Sequence, residues 1–159
     1  MVRIRPATPA DIPTILHFIR SLAMYEKLLD SVVADEAKLT ATLFGERPYA
    51  EVLIASCDEH PAGFALFFHN YSTFLAKPGI YLEDLFVDPE FRGRGVGKAL
   101  LIQLAKLSVE RDCGRLEWSV LDWNEAAIGF YKSLGAQPLS EWTIFRVTGD
   151  ALTRLSQSQ

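Results

Sequence analysis

No apolar run in the 159-residue sequence approaches the roughly 20 residues of a membrane-spanning helix, so no membrane partner is expected. The opening MVRIRPATPADI also lacks the charged-then-apolar layout of a signal peptide. Cysteine is scarce: Cys57 and Cys113 stand alone and far apart, which favours free thiols in a reducing cytoplasm over a disulfide. His17, His60 and His69 show no ligand spacing, so no metal is expected. There is no basic surplus either. A formal net charge of -4 argues against nucleic acid and suits a cationic substrate. Internal repeats and low-complexity segments are missing as well.

What is present fits one globular domain spanning 1–159, with 49% hydrophobic and 23% charged residues. Val2 to Pro6 reads as a strand. Thr8-Pro9-Ala10-Asp11 then has the form of a helix start: a capping threonine, proline at the first helical position and an acid three residues after the cap. Ile12, Ile15, Leu16, Ile19, Leu22 and Ala23 make one apolar stripe ending near Tyr25-Glu26-Lys27. A second helix is expected from Ala34 to Phe44, stopped by Gly45. Tyr49 to Cys57 and Ala62 to His69 form a hairpin, and Tyr71 to Gly79 leads into the next strand. Later elements are a strand at Arg115 to Val120, a helix at Asn124 to Leu134, a last strand at Trp142 to Val147 and a short amphipathic turn at Ala151 to Leu155. This order predicts an α/β (α+β) protein: a mixed sheet covered by helices on both faces, with one parallel β-α-β crossover.

The centre of the chain is Tyr81 to Arg111. Tyr81 to Val87 has strand composition, and Asp88-Pro89 ends it. Strict alternation puts Tyr81, Glu83, Leu85 and Val87 on one face and Leu82, Asp84 and Phe86 on the other. Two adjacent acids in a strand that otherwise reads as buried suggest a site, because burying a carboxylate is costly without a partner. Arg92-Gly93-Arg94-Gly95-Val96-Gly97-Lys98 follows and opens a helix with Val96, Leu100, Leu104 and Leu107 at helical spacing. Glycines let a ligand reach the backbone, and the free amides of the first helical turn favour an anion. The spacing fits neither a Walker loop, with Arg92 and Ala99 where glycine and Ser or Thr belong, nor a dinucleotide fingerprint, with Lys98 at its third glycine.

The pattern Arg-x-x-Gly-x-Gly at Arg92, Gly95 and Gly97, after a strand ending Leu-Phe-Val-Asp-Pro, resembles the acyl-CoA signature of the GNAT N-acetyltransferases. That resemblance implies a GNAT-like, mostly antiparallel sheet whose central strand bulges and splays from its neighbour. Acetyl-CoA would insert there as co-substrate. The backbone of Leu85, Phe86 and Val87 would pair with the pantetheine arm, and the turn Arg92, Gly93, Arg94, Gly95, Val96, Gly97 and Lys98 would receive the pyrophosphate, with Asn124 nearby. Glu83 would be the base and Tyr131 the acid; the segment from Asn124-Glu125 through Phe130-Tyr131-Lys132 to Gly135-Ala136 resembles the one that supplies that acid.

Ile4-Arg5-Pro6-Ala7-Thr8, Tyr25-Glu26, Tyr81-Leu82-Glu83-Asp84 and Trp123-Asn124-Glu125 are similar to the diamine and polyamine acetyltransferases of the spermidine/spermine and thialysine type. By that likeness Tyr25, Glu26, Glu83, Asp84, Glu117, Trp118 and Glu141 would contact a small cationic amine, and the chain would form a homodimer. Trp118-Ser119 departs from the aromatic-leucine pair of that group, and Glu141 aligns only with a gap. From the residues alone, Glu83 suits a structural ion pair as well as a site, and Tyr131 suits an apolar stripe. A protein or peptide amine as acceptor and a non-catalytic acyl-CoA sensor are the competing functions.

Overall fold

Asp11 ties the first strand to the first helix. Val2–Pro6 forms β1, a single 3-10 turn covers Pro9–Asp11, and α1 runs Ile12–Tyr25. The Asp11 carboxylate accepts the Thr8 backbone N–H at 2.7 Å and two guanidinium bonds from Arg5 at 2.7 and 2.8 Å. A buried carboxylate is thus matched on both sides, as burial requires.

The structure, a computed structural model, describes all 159 residues. They fall into two compact units, Met1–Ser119 and Val120–Gln159. The first unit continues with α2 (Glu36–Leu43), β2 (Glu51–Cys57), β3 (His60–Ser72), β4 (Lys77–Val87), α3 (Val96–Glu110) and β5 (Leu116–Trp118). The Asp35 side chain caps α2 by accepting the Lys38 N–H at 2.8 Å. Asp58 and Glu59, both with positive φ, make the two-residue turn between β2 and β3, as a tight hairpin requires. β3 and β4 are longer than expected, since the hairpin joining them closes only at Ser72 and Lys77.

The five strands lie in sequence order, antiparallel except for the parallel pair β4–β5. One face carries Val52, Ile54, Phe64 and Phe86 packed against Ile12, Ile15, Leu16 and Phe18 of α1 and Leu39 and Leu43 of α2. Phe18, outside the expected stripe, is 2% exposed and stacks on Phe64 at 5.6 Å. The opposite face, with Val87, takes α3, whose Val96, Leu100, Leu101 and Leu104 are buried. Helices therefore cover both faces, as the element order predicts.

The second unit contains α4 (Glu125–Ser133) and α5 (Gly149–Ser156). Gly135 ends α4 at φ 91°, where the N–H groups of Gly135 and Ala136 return to the carbonyls of Lys132 and Tyr131. The expected strand at Trp142 to Val147 is not formed: this stretch has no regular structure, and Trp142, Ile144 and Phe145 are exposed. Its aromatic and β-branched residues fit a pleated neighbour, and strand content follows from such a neighbour rather than from composition. The turn expected at Ala151 to Leu155 is the middle of α5.

Arg5 holds the Asp11 carboxyl down from 3.8 to about 2. The lowered value makes the folded state favour the ionised form, so this contribution is complete above about pH 4 and disappears as pH falls toward 2. Asp11→Asn should cost on the order of 1–2 kcal/mol near pH 7 in denaturant titrations. The gap to the parent should close in acid.

Candidate active site

The register of β4 against β3 sets the geometry. Phe67 pairs with Leu82 and Leu66 with Asp84, leaving Glu83 as an extra, unpaired residue. This is a β-bulge, and it shifts the alternation by one. Leu82 and Asp84 consequently lie on opposite faces, which corrects the strict alternation expected. Tyr81, Asp84 and Phe86 share the α1 face with Phe68, Leu66 and Phe64, while Leu82, Leu85 and Val87 lie toward α3. Glu83 itself is exposed.

On its other side β4 pairs with β5 only at Ile80, Tyr81 and Leu82. From Glu83 to Val87 that edge has no strand partner, so backbone groups along it, other than the Val87 carbonyl that Arg92 holds, are open to an extended ligand. The chain runs from this open edge into a glycine turn at a helix start. Gly93 and Gly95 have φ of 75° and 80°, and an added Cβ at either would meet nothing within 4 Å. Gly95 caps α3, whose first-turn amides have no helical acceptor. Arg94 lies over the Phe91 ring at 5.4 Å, and Lys98 is exposed. Arg92 stays exposed but reaches back along the surface: its Nε donates to the Val87 carbonyl at 3.1 Å, and its guanidinium lies 5.2 Å from the centre of the Tyr25 ring.

Asp84 and Glu26 lie on the α1 side, with Glu83 next to Asp84 in β4. Burial, then the charges of Glu83 and Glu26, push the Asp84 carboxyl up from 3.8 to about 6. Burial alone also raises Glu26. Glu26 is the C-cap of α1, and Lys27, at φ 61°, lets its own N–H and that of Leu28 bond back to Met24 and Ala23. The last carbonyls of a helix favour a cation, and so do the acids.

Other candidates are placed differently. Glu117 sits on β5, paired with Arg115 at 2.6 Å and accepting from Asn70 at 3.0 Å, so its carboxylate is already held within the sheet. Its neighbour Trp118 ends β5. In the second unit the Asn124 side chain caps α4 by accepting the Ala127 N–H, Tyr131 is half-buried beside Phe130 on that helix, and Glu141 lies exposed in irregular chain. Two features had no sequence signal: the bulge at Glu83, and the contact of Arg92 with Tyr25, 67 residues away (92 − 25).

The acetyltransferase (GNAT) family pattern matches residues 18–136. The chain belongs to the GNAT acetyltransferase family. Among its relatives, the thialysine N-epsilon-acetyltransferase of Bos taurus is 40% identical, over 98% of this chain and 97% of that protein. The L-ornithine N5-acetyltransferase of Arabidopsis thaliana is 36% identical, over 98% and 88%. Among solved structures, an integron cassette protein from V. cholerae superimposes with TM-score 0.82 at 28% identity, covering 99% of this chain and 98% of that one. An aminoglycoside acetyltransferase from an uncultured soil metagenomic sample gives 0.77 at 20% identity over 92% and 95%, a likeness of fold. The GNAT chain is an N-acetyltransferase, and enzymes of this family use acetyl-CoA as co-substrate.

Gly95→Ala forces a side chain into a left-handed backbone and places a methyl in the anion's approach. It should lower stability by about 1 kcal/mol and weaken coenzyme A binding about tenfold or more, read by thermal melts and calorimetry. Asp84 has the opposite pH linkage to Asp11. Its raised value penalises the ionised form in the fold, an effect absent below about pH 4 and complete above about pH 6. Asp84→Asn should therefore stabilise the protein near pH 7 by on the order of 2 kcal/mol, with the gain fading toward pH 4.

Proposed function

We propose that this GNAT enzyme transfers acetyl from acetyl-CoA to a primary amine of a small cationic acceptor, a diamine, polyamine or diamino acid, by direct attack in a ternary complex. The observation that carries the reading is the acid group Glu26, Glu83 and Asp84 beside the unpaired β4 edge. The acceptors named for the thialysine and ornithine relatives support the same class.

The residues fit acetyl-CoA. The Leu85, Phe86 and Val87 backbone would pair with its amides, and the Gly93 to Lys98 amides, with Asn124, would hold its phosphates. Bound acetyl-CoA supplies a thioester carbonyl activated toward an amine. The protein supplies charge and proton handling. An alkylammonium, with an ordinary pKa near 10.4, is not a nucleophile and has to lose a proton, directly or through water. A diamine divides the work: one nitrogen remains an ammonium held by Glu26 and Asp84, and the other gives its proton to Glu83. In this reading Tyr25 and Trp118 contact the acceptor's alkyl chain and cation, and Glu117 and Glu141 remain outer contacts. Tyr131 protonates the departing thiolate. Residues 1–159 act as one catalytic domain, in a cytoplasmic homodimer where Cys57 and Cys113 stay reduced; the family pattern crossing both compact units supports the single domain.

The test is acetyl-CoA-dependent thiol release with spermidine, putrescine, ornithine, lysine, thialysine and a lysine peptide. Small diamines or diamino acids should be turned over in preference to the peptide. A peptide preference would replace the acceptor class, and coenzyme A binding without any turnover would favour the sensor reading. With the best amine, Tyr131→Phe should lower kcat about 100-fold while coenzyme A affinity is kept. Unchanged kcat would remove Tyr131 as the acid.

A further inference from the structure

Arg92 stands first in the glycine turn, where a cation is readily assigned to the phosphates. Its contacts lead elsewhere. Nε donates to the Val87 carbonyl at 3.1 Å, at the end of the open edge, and Cζ lies 5.2 Å from the Tyr25 ring centre and 6.0 Å from that of Phe86. Arginine suits this place, because its planar group donates in its own plane while presenting a flat cationic face to a ring. Lysine, a point charge, cannot do both. Tyr25 is the last residue of α1 and Glu26 its cap, so whatever holds the Tyr25 ring also fixes how Glu26 stands toward Asp84.

We propose that Arg92 is a positioning residue for the acceptor: bonded to the Val87 carbonyl and lying over Tyr25, it holds the end of α1 against β4 and so sets the KM for the amine rather than holding a phosphate. This rests on the amine-acetylation reading above. It also assigns the turn two functions, with the backbone amides of Gly93 to Lys98 facing the anion and the Arg92 side chain serving the other substrate. The occupied end of the cofactor edge and the acceptor's aromatic wall then meet at one guanidinium.

The experiment uses the full chain with Arg92→Met and Arg92→Lys, each checked for folding by its thermal melt. Steady-state kinetics should show the amine KM raised about tenfold in both variants, with the acetyl-CoA KM changed less than about twofold. In a Tyr25→Leu background, Arg92→Met should add no further rise; full additivity would overturn the route through Tyr25. Amide exchange gives a readout independent of turnover: the N–H groups of Glu26, Lys27 and Leu28, which bond back to Leu22, Met24 and Ala23, should exchange faster in Arg92→Met. A raised acetyl-CoA KM that Arg92→Lys restores would make Arg92 a phosphate ligand and overturn the proposal. So would unchanged exchange together with an unchanged amine KM. If the parent protein acetylates no amine, the acceptor reading fails by itself, and unchanged exchange in Arg92→Met would separately show that Arg92 does not hold the helix end.

Discussion

A single extra residue in β4 governs the arrangement of this protein. With Glu83 unpaired against β3, the strand changes parity between Leu82 and Asp84, so each half presents its apolar side chains to the helix layer that covers it. Ile80 and Leu82 are buried on one side of the bulge, and Phe86 is buried in the α1 cluster on the other. Without the bulge, a slip of one residue would exchange Phe86 for Leu85 beneath Phe18 and Phe64 and turn Asp84 toward α3. Bulges also bend a strand and end regular pairing, and β5 follows β4 no further than Leu82. The open edge and the placement of the acids thus have one structural origin.

Asp11 and Asp84 show how neighbours assign opposite roles to the same side chain. Both are largely withdrawn from water. Asp11 meets the Arg5 guanidinium and the Thr8 amide, which hold its carboxyl well below the usual range, and it serves as a clamp between β1 and α1. Asp84 meets two further acids, and its carboxyl is driven upward. Such a group is unfavourable for folding taken alone, and its charge is relieved only when a cation arrives. An acceptor ammonium would supply that relief, so the energy withheld from stability is available to binding.

The sequence made much of this legible, for identifiable reasons. Caps and breakers are local chemistry: Thr8 caps the turn that leads into α1, and Gly45 and Gly135 lie just past the ends of α2 and α4. The glycine turn was readable as a candidate anion site because three spaced glycines leave the backbone bare at a helix start. Glu26, Glu83 and Asp84 were readable as a group only through resemblance to a family. The bulge was not readable, since nothing in Tyr81-Leu82-Glu83-Asp84 departs from strand composition and a register shift depends on what β3 offers opposite. The strand expected at Trp142 to Val147 failed for a related reason: pairing needs a partner, and propensity does not provide one. The ion pair of Glu117 with Arg115 and its bond from Asn70 were likewise not legible, because they depend on where β5 falls beside β3 and β4.

The two helix ends that meet at Arg92 carry opposite fields. The N-terminus of α3 is the positive pole and, in the proposed reaction, would receive the anionic donor; the C-terminus of α1 is the negative pole, further charged by Glu26, and would face the acceptor's cation. The helices cover opposite faces of the sheet, yet the Arg92–Tyr25 contact brings these ends together at the tip of β4. On the proposed assignment a donor and an acceptor of opposite charge would thereby be sorted before any chemistry occurs, each repelled from the other's subsite. An exchanged orientation would place an ammonium at the first turn of α3 and phosphates beside three carboxylates. Like-charge contacts of that kind cost several kcal/mol, enough for the charge pattern alone to fix which substrate lies on which side.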